Sequence, residues 1–285
     1  MQQISNTDLI LGSDGSVYHL GLHPEQVADK VIGVGDQARV EEVSRHFDSI
    51  EFKNNNREFV THTGMLGGKR LTVMSTGIGP DNVEIFFTEL DALVNINLKT
   101  REPLPGRKSL TVVRLGTSGA MREEIALGTH LVTDYAVGLD NLMHFYDLPM
   151  ESLESEISFG LQKHTGLPFQ PYVVRGSIDL REQMGSNMIV GNTLTCPGFY
   201  APQGRHVRLV GRLPDFLKDL NSFRAGGFVL SNLEMETAAY FAFGKLLGHR
   251  TASVNAIIAN RVTQQFATNP KGVVDALIEE VLAKI

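Results

Sequence analysis

Short apolar runs alternate with amphipathic helical patterns along most of this chain, and that alternation limits the fold more than any other feature. A buried strand shows a short apolar run, whereas a helix on a core shows apolar residues every three to four positions. Strands are predicted at 30–35, 69–79, 110–120, 129–137, 188–195 and 250–261, helices at 36–47, 80–96 and 270–285, and a strand, turn and helix within 228–248. Strands that alternate with helices predict an α/β layer architecture around a mainly parallel sheet.

Two of the predicted helices carry a start signal. Asp36 precedes the apolar positions Val40 and Val43, and its short carboxylate suits an N-cap. Pro80 stands at the start of the second helical pattern, where a missing N–H costs no hydrogen bond.

The chain is interpreted as a single domain over residues 1–285. Its 285 residues permit one large domain or two small ones, and 42% apolar residues are enough for a sizeable core. The polar stretch NLKTREPLPGRKS (97–109) is predicted to be a surface insertion and not a linker, because a core-like strand follows it directly.

Charge and cysteine content exclude several classes of protein. The net charge is −6 and there is no long Lys/Arg run, so nucleic acid is not an expected partner. Cys196 is the single cysteine, which excludes an intramolecular disulfide framework and fits a reducing compartment. The N-terminal stretch has no signal-peptide pattern, and no run approaches the roughly 20 apolar residues of a membrane helix. The expected location is the cytoplasm, with no membrane contact.

Three predicted strands end in similar glycine-rich polar segments, VGDQAR, STGIGPDN and RLGTSGA. Ligands in open α/β sheets bind at the carboxyl ends of strands, where glycine lets backbone N–H groups approach an anion. Arg39, Arg114, Thr117 and Ser118 add guanidinium and hydroxyl donors, so an oxyanion site is predicted, with Arg114 at a strand end. The alternative is that these are ordinary turns with solvated or paired arginines. Neither GxxxxGK[ST] nor GxGxxG occurs, so a nucleoside triphosphate or dinucleotide is not predicted.

The segment SNLEMET (231–237) allows two interpretations. Ser231 or Asn232 would be the N-cap of the following helix, with Ser231 and Glu234 forming a capping box. Alternatively, Glu234 or Glu236 would direct a carboxylate at vicinal sugar hydroxyls, since an ionised carboxylate only accepts hydrogen bonds.

Read together, these stretches resemble the nucleoside phosphorylase superfamily, and within it the uridine phosphorylases. The matching segments, in the order of the family, are VYHLGL (17–22), GDQAR (35–39), NREF (56–59), STGIG (75–79), RLGTSGA (114–120), FYAPQGR (199–205), NLEMET (232–237) and IIANR (257–261). The resemblance implies a single-domain three-layer α/β/α nucleoside-phosphorylase fold with a mixed, largely parallel central sheet.

The resemblance also implies a role for each matching residue. Phosphate would be bound by the Gly35 backbone, Arg39, Arg114, Thr117 and, from a neighbouring subunit, Arg57. Ribose would be bound by Met235, Glu236 and the neighbour's His19, which would reach the 5′-hydroxyl. The base would be bound by Phe199, Gln203, Arg205, Ile257 and Ile258, with Arg261 helping to position Arg205. Glu58 and Ser75 match family positions that bind a monovalent cation, potassium, at a dimer interface.

The implied reaction is phosphorolysis of uridine to uracil and ribose 1-phosphate, a step of pyrimidine nucleoside catabolism and salvage. The catalytic residues would be Arg114, Glu236, Arg205 and Gln203, with inorganic phosphate as co-substrate and no cofactor. The partners would be the nucleoside, inorganic phosphate and further copies of the chain, as a homodimer or a hexamer of dimers with shared active sites. IIANR carries no acid where purine enzymes of the superfamily have an aspartate, which favours a pyrimidine.

Several alternatives remain open at this point. They are deoxyuridine or thymidine as substrate, a purine nucleoside phosphorylase, a nucleosidase that uses water, and a nucleoside-binding protein without turnover.

Overall fold

In the computed structural model, which describes residues 3–285, the chain divides into two units. Unit 1 comprises the described residues up to Arg114 together with Phe243–Arg250. Unit 2 comprises Leu115–Ala242 and Thr251–Ile285. That residues 1–285 act as one nucleoside phosphorylase domain stays a prediction.

The regular elements follow one another in mixed order along the chain. The strands are β1 (Lys30–Val34), β2 (Ser49–Asn56), β3 (Phe59–Leu66), β4 (Lys69–Ser75), β5 (Ile96–Asn97), β6 (Glu102–Pro103), β7 (Thr111–Ala120), β8 (His130–Gly138), β9 (Tyr172–Arg175), β10 (Ile189–Thr195), β11 (Asn232–Glu234), β12 (Arg250–Asn260) and β13 (Gln265–Phe266). The helices are α1 (Gln37–Ser44), α2 (Pro80–Asn95), α3 (Ser152–Thr165), α4 (Ile178–Met184), α5 (Phe216–Ser222), α6 (Thr237–Leu247) and α7 (Pro270–Lys284).

Unit 1 is built on β1, whose four residues from Val31 to Val34 are fully buried. β1 pairs in parallel with β4, and β4, β3 and β2 continue as antiparallel neighbours. Helix α1 packs on β3 and β4. It begins as predicted, because the Asp36 carboxylate accepts a hydrogen bond from the Ala38 backbone N–H at 2.9 Å. Pro80 is the first residue of α2, also as predicted.

Unit 2 has β10 at the centre of its parallel strands, with β8 on one side and β11 on the other. Antiparallel pairs β8–β12, β12–β13, β8–β9 and β7–β11 extend it. Helix α3 packs against β9 and α5 over a core that includes Val137, Leu161 and Leu194. The predicted α/β class with a mixed sheet is confirmed, since parallel inner strands are flanked by antiparallel ones.

The strand predicted at 110–120 is confirmed as β7, but the prediction that Arg114 lies at a strand end beside a glycine-rich turn was wrong. β7 continues without a break to Ala120, so Arg114 lies inside the strand and not at its end. The reason is a partner strand: β11 pairs with the last residues of β7, with Leu233 opposite Gly119 and Asn232 opposite Ala120. Glycine and small polar residues are poor strand formers in isolation, and tertiary pairing overrides that preference.

The insertion at 97–109 contains the short hairpin β5–β6 and is mostly exposed, as predicted. Strands β2, β3 and β9 and helices α3, α4 and α5 were not predicted from the sequence. None of the helices within residues 3–285 combines the length and apolar character that a membrane span needs.

Candidate active-site residues

The tight turn between β2 and β3 carries Arg57. Its backbone lies in the left-handed region, with φ of 56°, which is costly for any residue with a side chain. The Gln37 side-chain amide donates to the Arg57 carbonyl at 2.8 Å and ties the turn to the start of α1. The guanidinium is exposed and lies on the Tyr18 ring, with Cζ 5.2 Å from the ring centroid and Nη2 3.2 Å from the hydroxyl. The turn is therefore fixed in place, while its charged group faces the surface of its own unit.

The other predicted phosphate ligands of unit 1 lie on or next to β1. Gly35 directly follows β1, and Arg39 lies half-buried in the first turn of α1. Arg114 is 5% exposed and lies on β7, the strand next to β1. Thr117 follows three residues later on β7, half-buried, in the part of that strand assigned to unit 2.

The structure brings Glu58 and Ser75 together. The Ser75 hydroxyl donates to the Glu58 carbonyl oxygen at 2.5 Å and accepts from the Val60 N–H at 2.8 Å. Gly77 has φ of 76°, and a Cβ there would lie 2.8 Å from the Asn82 amide nitrogen, so this turn requires glycine. Hydroxyl, carbonyl and carboxylate oxygens suit a hard cation, and the Ser75 oxygen keeps one lone pair. Within residues 3–285, no group of three or more His, Cys, Asp or Glu side chains is placed to hold a metal ion.

The segment with His19 is held by side chains from two elements of unit 1. Asn56 donates to the His19 carbonyl at 2.9 Å, and Asn54 donates to the Leu20 carbonyl at 2.9 Å. On the other side, Glu89 of α2 contacts the His19 ring at 2.6 Å from Nδ1. Sequence reasoning missed Glu89. Its signal was available, because it is a carboxylate among the buried positions of the α2 pattern.

In unit 2, the predicted base-binding residues of FYAPQGR form one cluster. Gln203 ends a short 3₁₀ helix and is 2% exposed. The Arg205 guanidinium donates to the Gln203 side-chain oxygen and, at 2.7 Å, to the Phe199 carbonyl. Its Cζ lies 3.8 Å from the centroid of the Phe199 ring, a cation–π contact. Arg261 donates to the Gln203 carbonyl at 3.0 Å. Phe199, Gln203 and Arg205 thus hold one another, and Arg261 supports them.

The electrostatics of this cluster are unusual for arginine. Burial, with the nearby Arg261 charge, lowers the pKa of Arg205 to about 10. Burial also lowers the pKa of Arg261 and raises that of the Cys196 thiol. Two cations close together in a half-buried setting are unfavourable in the free protein and favour an anionic partner.

Ile257 and Ile258 lie on β12. Ile257 is fully buried in a small cluster with Ala120, Ile125 and Leu131, and Ile258 is half-buried. That they line a base pocket stays a prediction.

The junction between β11 and α6 carries Met235, half-buried, and Glu236, which is 6% exposed. The predicted capping box at Ser231 was wrong, because Asn232–Glu234 is a strand and the helix begins at Thr237. The cap is the Glu234 carboxylate, which accepts from the N–H groups of Glu236 at 2.9 Å and Thr237 at 3.0 Å. Thr195 holds that carboxylate through its hydroxyl at 2.7 Å. Glu234 is thus structural and Glu236 remains the candidate for substrate binding.

Comparison with known proteins gives similarity over nearly the whole chain. A family model described as the phosphorylase superfamily matches residues 29–283. The uridine phosphorylase of Salmonella typhimurium is 31% identical over 257 residues, which cover 89% of this chain and 89% of that protein. The uridine phosphorylase of Haemophilus influenzae is 30% identical over 258 residues, covering 87% of this chain and 88% of that protein. The crystal structure of Trypanosoma brucei nucleoside phosphorylase, a protein that shows uridine phosphorylase activity, matches with a TM-score of 0.88 and 27% identity over 98% of this chain and 100% of that chain.

Proposed function

Because the chain belongs to the phosphorylase superfamily, we propose that it catalyses the phosphorolysis of uridine to uracil and ribose 1-phosphate. The observation that carries this proposal is the cluster of Phe199, Gln203 and Arg205, supported by Arg261. An amide and a guanidinium beside an aromatic ring match the edge and face of a uracil. IIANR has no acid that would protonate a purine, which also favours a pyrimidine base.

The chemistry assigns a task to each group. Phosphate attacks C1′ while the C1′–N1 bond breaks, and the sugar passes through a cationic, oxocarbenium-like state. The departing uracil collects negative charge on its oxygens, and Gln203 and Arg205 stabilise that charge. Glu236 binds the ribose hydroxyls and, with the phosphate dianion, stabilises the sugar cation. Met235, Ile257 and Ile258 supply apolar contacts.

Phosphate is bound by fixed donors that position it for attack. These are the Gly35 backbone, Arg39, Arg114, Thr117 and the Arg57 side chain of a neighbouring subunit. The exposed guanidinium of Arg57 supports the last assignment, since a group that serves another copy must reach the surface.

We infer that the protein acts as a homodimer or a hexamer of dimers, in which His19 and Arg57 complete a neighbour's site. Potassium would bind Glu58 and Ser75 at the dimer interface and supply a fixed positive charge there. The cytoplasm is the proposed location, and nucleoside catabolism or salvage the proposed role.

The test is a panel of nucleosides assayed with and without inorganic phosphate. We expect uracil release from uridine only with phosphate, together with ribose 1-phosphate, and deoxyuridine and thymidine measure the breadth of the site. Equal uracil release in phosphate-free buffer would identify a nucleosidase. Preferred turnover of inosine would identify a purine enzyme, and tight uridine binding without turnover would identify a binding protein. Each of these three results would overturn the proposal.

A further inference from the structure

Helix α2 buries the carboxylate of Glu89, which has no role in the mechanism proposed above. Glu89 is 7% exposed and lies on the buried side of α2 with Phe86, Leu90 and Leu93. Removing a carboxylate from water is strongly unfavourable unless hydrogen-bond donors replace the water. A buried glutamate on the apolar side of a helix is therefore expected to accept hydrogen bonds from specific donor groups.

Within residues 3–285, the Glu89 carboxylate hydrogen-bonds only to two consecutive residues, His19 and Leu20. Its carboxylate accepts from the His19 backbone N–H at 2.9 and 3.1 Å and from the Leu20 N–H at 2.8 Å. Its Oε1 also lies 2.6 Å from Nδ1 of the His19 ring. Glu89 therefore fixes both the backbone and the ring of His19, and both residues belong to unit 1.

The chemistry of this contact assigns the proton on the ring. An ionised carboxylate has no proton to donate, so Nδ1 of His19 must carry the hydrogen. In the neutral imidazole, Nε2 is then an acceptor with a free lone pair. Nε2 has no partner among the described residues, and the His19 side chain is 30% exposed. The available ring nitrogen is thus prepared to accept an O–H hydrogen bond.

We propose that Glu89 is a positioning residue for substrate selection: it sets the tautomer and orientation of His19, so that Nε2 accepts a hydrogen bond from the nucleoside 5′-hydroxyl. This inference rests on the proposed function, in which His19 serves the active site of a neighbouring copy. Glu89 itself does not touch the substrate.

A purely structural role for Glu89 predicts something different. The asparagines at 54 and 56 already hold the carbonyl groups of residues 18–21, so the segment keeps anchors when Glu89 is changed. Loss of a structural anchor would weaken turnover of every nucleoside equally. Loss of the tautomer control would weaken only the contact with the 5′-hydroxyl.

The experiment compares uridine with 5′-deoxyuridine, which lacks that hydroxyl, in the 285-residue chain with inorganic phosphate. For Glu89→Gln, the ratio of kcat/KM between the two substrates should fall about fivefold, the value of one neutral hydrogen bond. Asp81→Asn removes the same charge from an exposed position in the first turn of α2 and should leave the ratio unchanged. A fall in kcat/KM for Glu89→Gln that is equal for both substrates would overturn the proposal.

Two further measurements keep the result interpretable. His19→Ala combined with Glu89→Gln should give the same ratio as His19→Ala alone, since Glu89 acts through His19; an additional fall would contradict this. Nitrogen-15 NMR of the wild-type protein should show the hydrogen of His19 on Nδ1, and a hydrogen on Nε2, alone or together with one on Nδ1, would overturn the proposal. If the wild type has no phosphorolytic activity, the proposed function fails, while a change of the His19 ring spectrum between the wild type and Glu89→Gln still decides whether Glu89 controls the ring.

Discussion

The β2–β3 turn and the 199–205 segment each present an arginine with a proposed role in substrate binding, and they hold it in opposite ways. Arg57 is exposed, its backbone is strained at φ 56°, and its guanidinium lies on the Tyr18 ring. Arg205 is half-buried, packed on Phe199 and hydrogen-bonded to Gln203. The first is prepared to act outside its own unit, and the second is organised by residues near it in sequence.

Both arrangements cost stability, but by different physical routes. Arg57 stores backbone strain, because a residue with a Cβ is held in the left-handed region. Arg205 is destabilised by desolvation and by the Arg261 charge, which lower its pKa to about 10. Groups retained against such costs are concentrated at functional sites, which supports the roles proposed for both arginines.

The largest expected effect is on activity, when Arg57 and Arg205 are replaced in two separate variants that are then co-expressed. Arg205→Ala should lower kcat/KM for uridine by about 100-fold and Arg57→Ala by about tenfold or more, through lost charge-assisted hydrogen bonds. If Arg57 serves a neighbour and Arg205 its own copy, co-expression of the two variants regenerates intact sites. Random pairing in a dimer would give about one intact site in four, measured as the rate of uracil release.

Arg208→Ala is the matched control, because Arg208 is an exposed arginine three residues beyond Arg205. It should leave the rate near that of the wild type. Co-expressed variants whose rate is no higher than the mean of the two separately expressed variants would show that Arg57 works within its own copy, and the comparison between the two arginines would lose its basis.

A smaller effect is expected on thermal stability when the half-buried charge is neutralised. Arg205→Gln removes the charge and keeps an amide donor for the Gln203 oxygen, so Tm should rise by a few degrees while activity falls. The sign follows from the pKa: the folded value for Arg205 lies below the ordinary 12.5, so the charge destabilises the fold at every pH below about 10. This destabilisation decreases as the pH rises from about 10 toward the pKa of Arg205 in the unfolded chain.

Calorimetry of the wild type and the variant at two pH values between about 6 and 9 should therefore give the same difference in Tm. A lower Tm for Arg205→Gln would mean that the hydrogen bonds of the wild-type arginine stabilise the fold more than desolvation of its charge destabilises it.

The smallest effect separates backbone strain from side-chain chemistry at the β2–β3 turn. Arg57→Gly and Arg57→Ala both remove the guanidinium, but only glycine adopts φ of 56° without strain. Arg57→Gly should be more stable by about 1 kcal/mol, or roughly 2 °C in Tm, as measured by thermal unfolding.

Arg45 offers a control in which the stability difference has the opposite sign, because it is the C-cap residue that follows α1 and has an ordinary φ of −61°. There the glycine variant should be less stable than the alanine variant. Equal stability of the two Arg57 variants would show that the turn relaxes when the arginine is lost.

Much of the fold could be predicted from local signals in the sequence. The apolar runs of β1 and β4, the Asp36 cap and Pro80 at the start of α2 depend on residues close in the chain, and the structure agrees with each. The FYAPQGR segment is similar in this respect, because Phe199, Gln203 and Arg205 contact one another within one short stretch.

Other features depend on residues far apart in the chain, and local patterns could not predict them. The strand that contains Arg114 continues to Ala120 because β11, more than 100 residues later, pairs with it. The cap of α6 is Glu234 because Thr195, on another strand, holds that carboxylate.

The sequence by itself determined the α/β class and the identity of the residues that are candidates for binding phosphate, ribose and base. Only the tertiary structure decided how other residues are supported: Glu89 holds the His19 ring, and the Tyr18 ring contacts the Arg57 guanidinium. The physical reason is that a side chain's identity is local, whereas its hydrogen-bond partners and desolvation arise from segments that meet only when the chain folds.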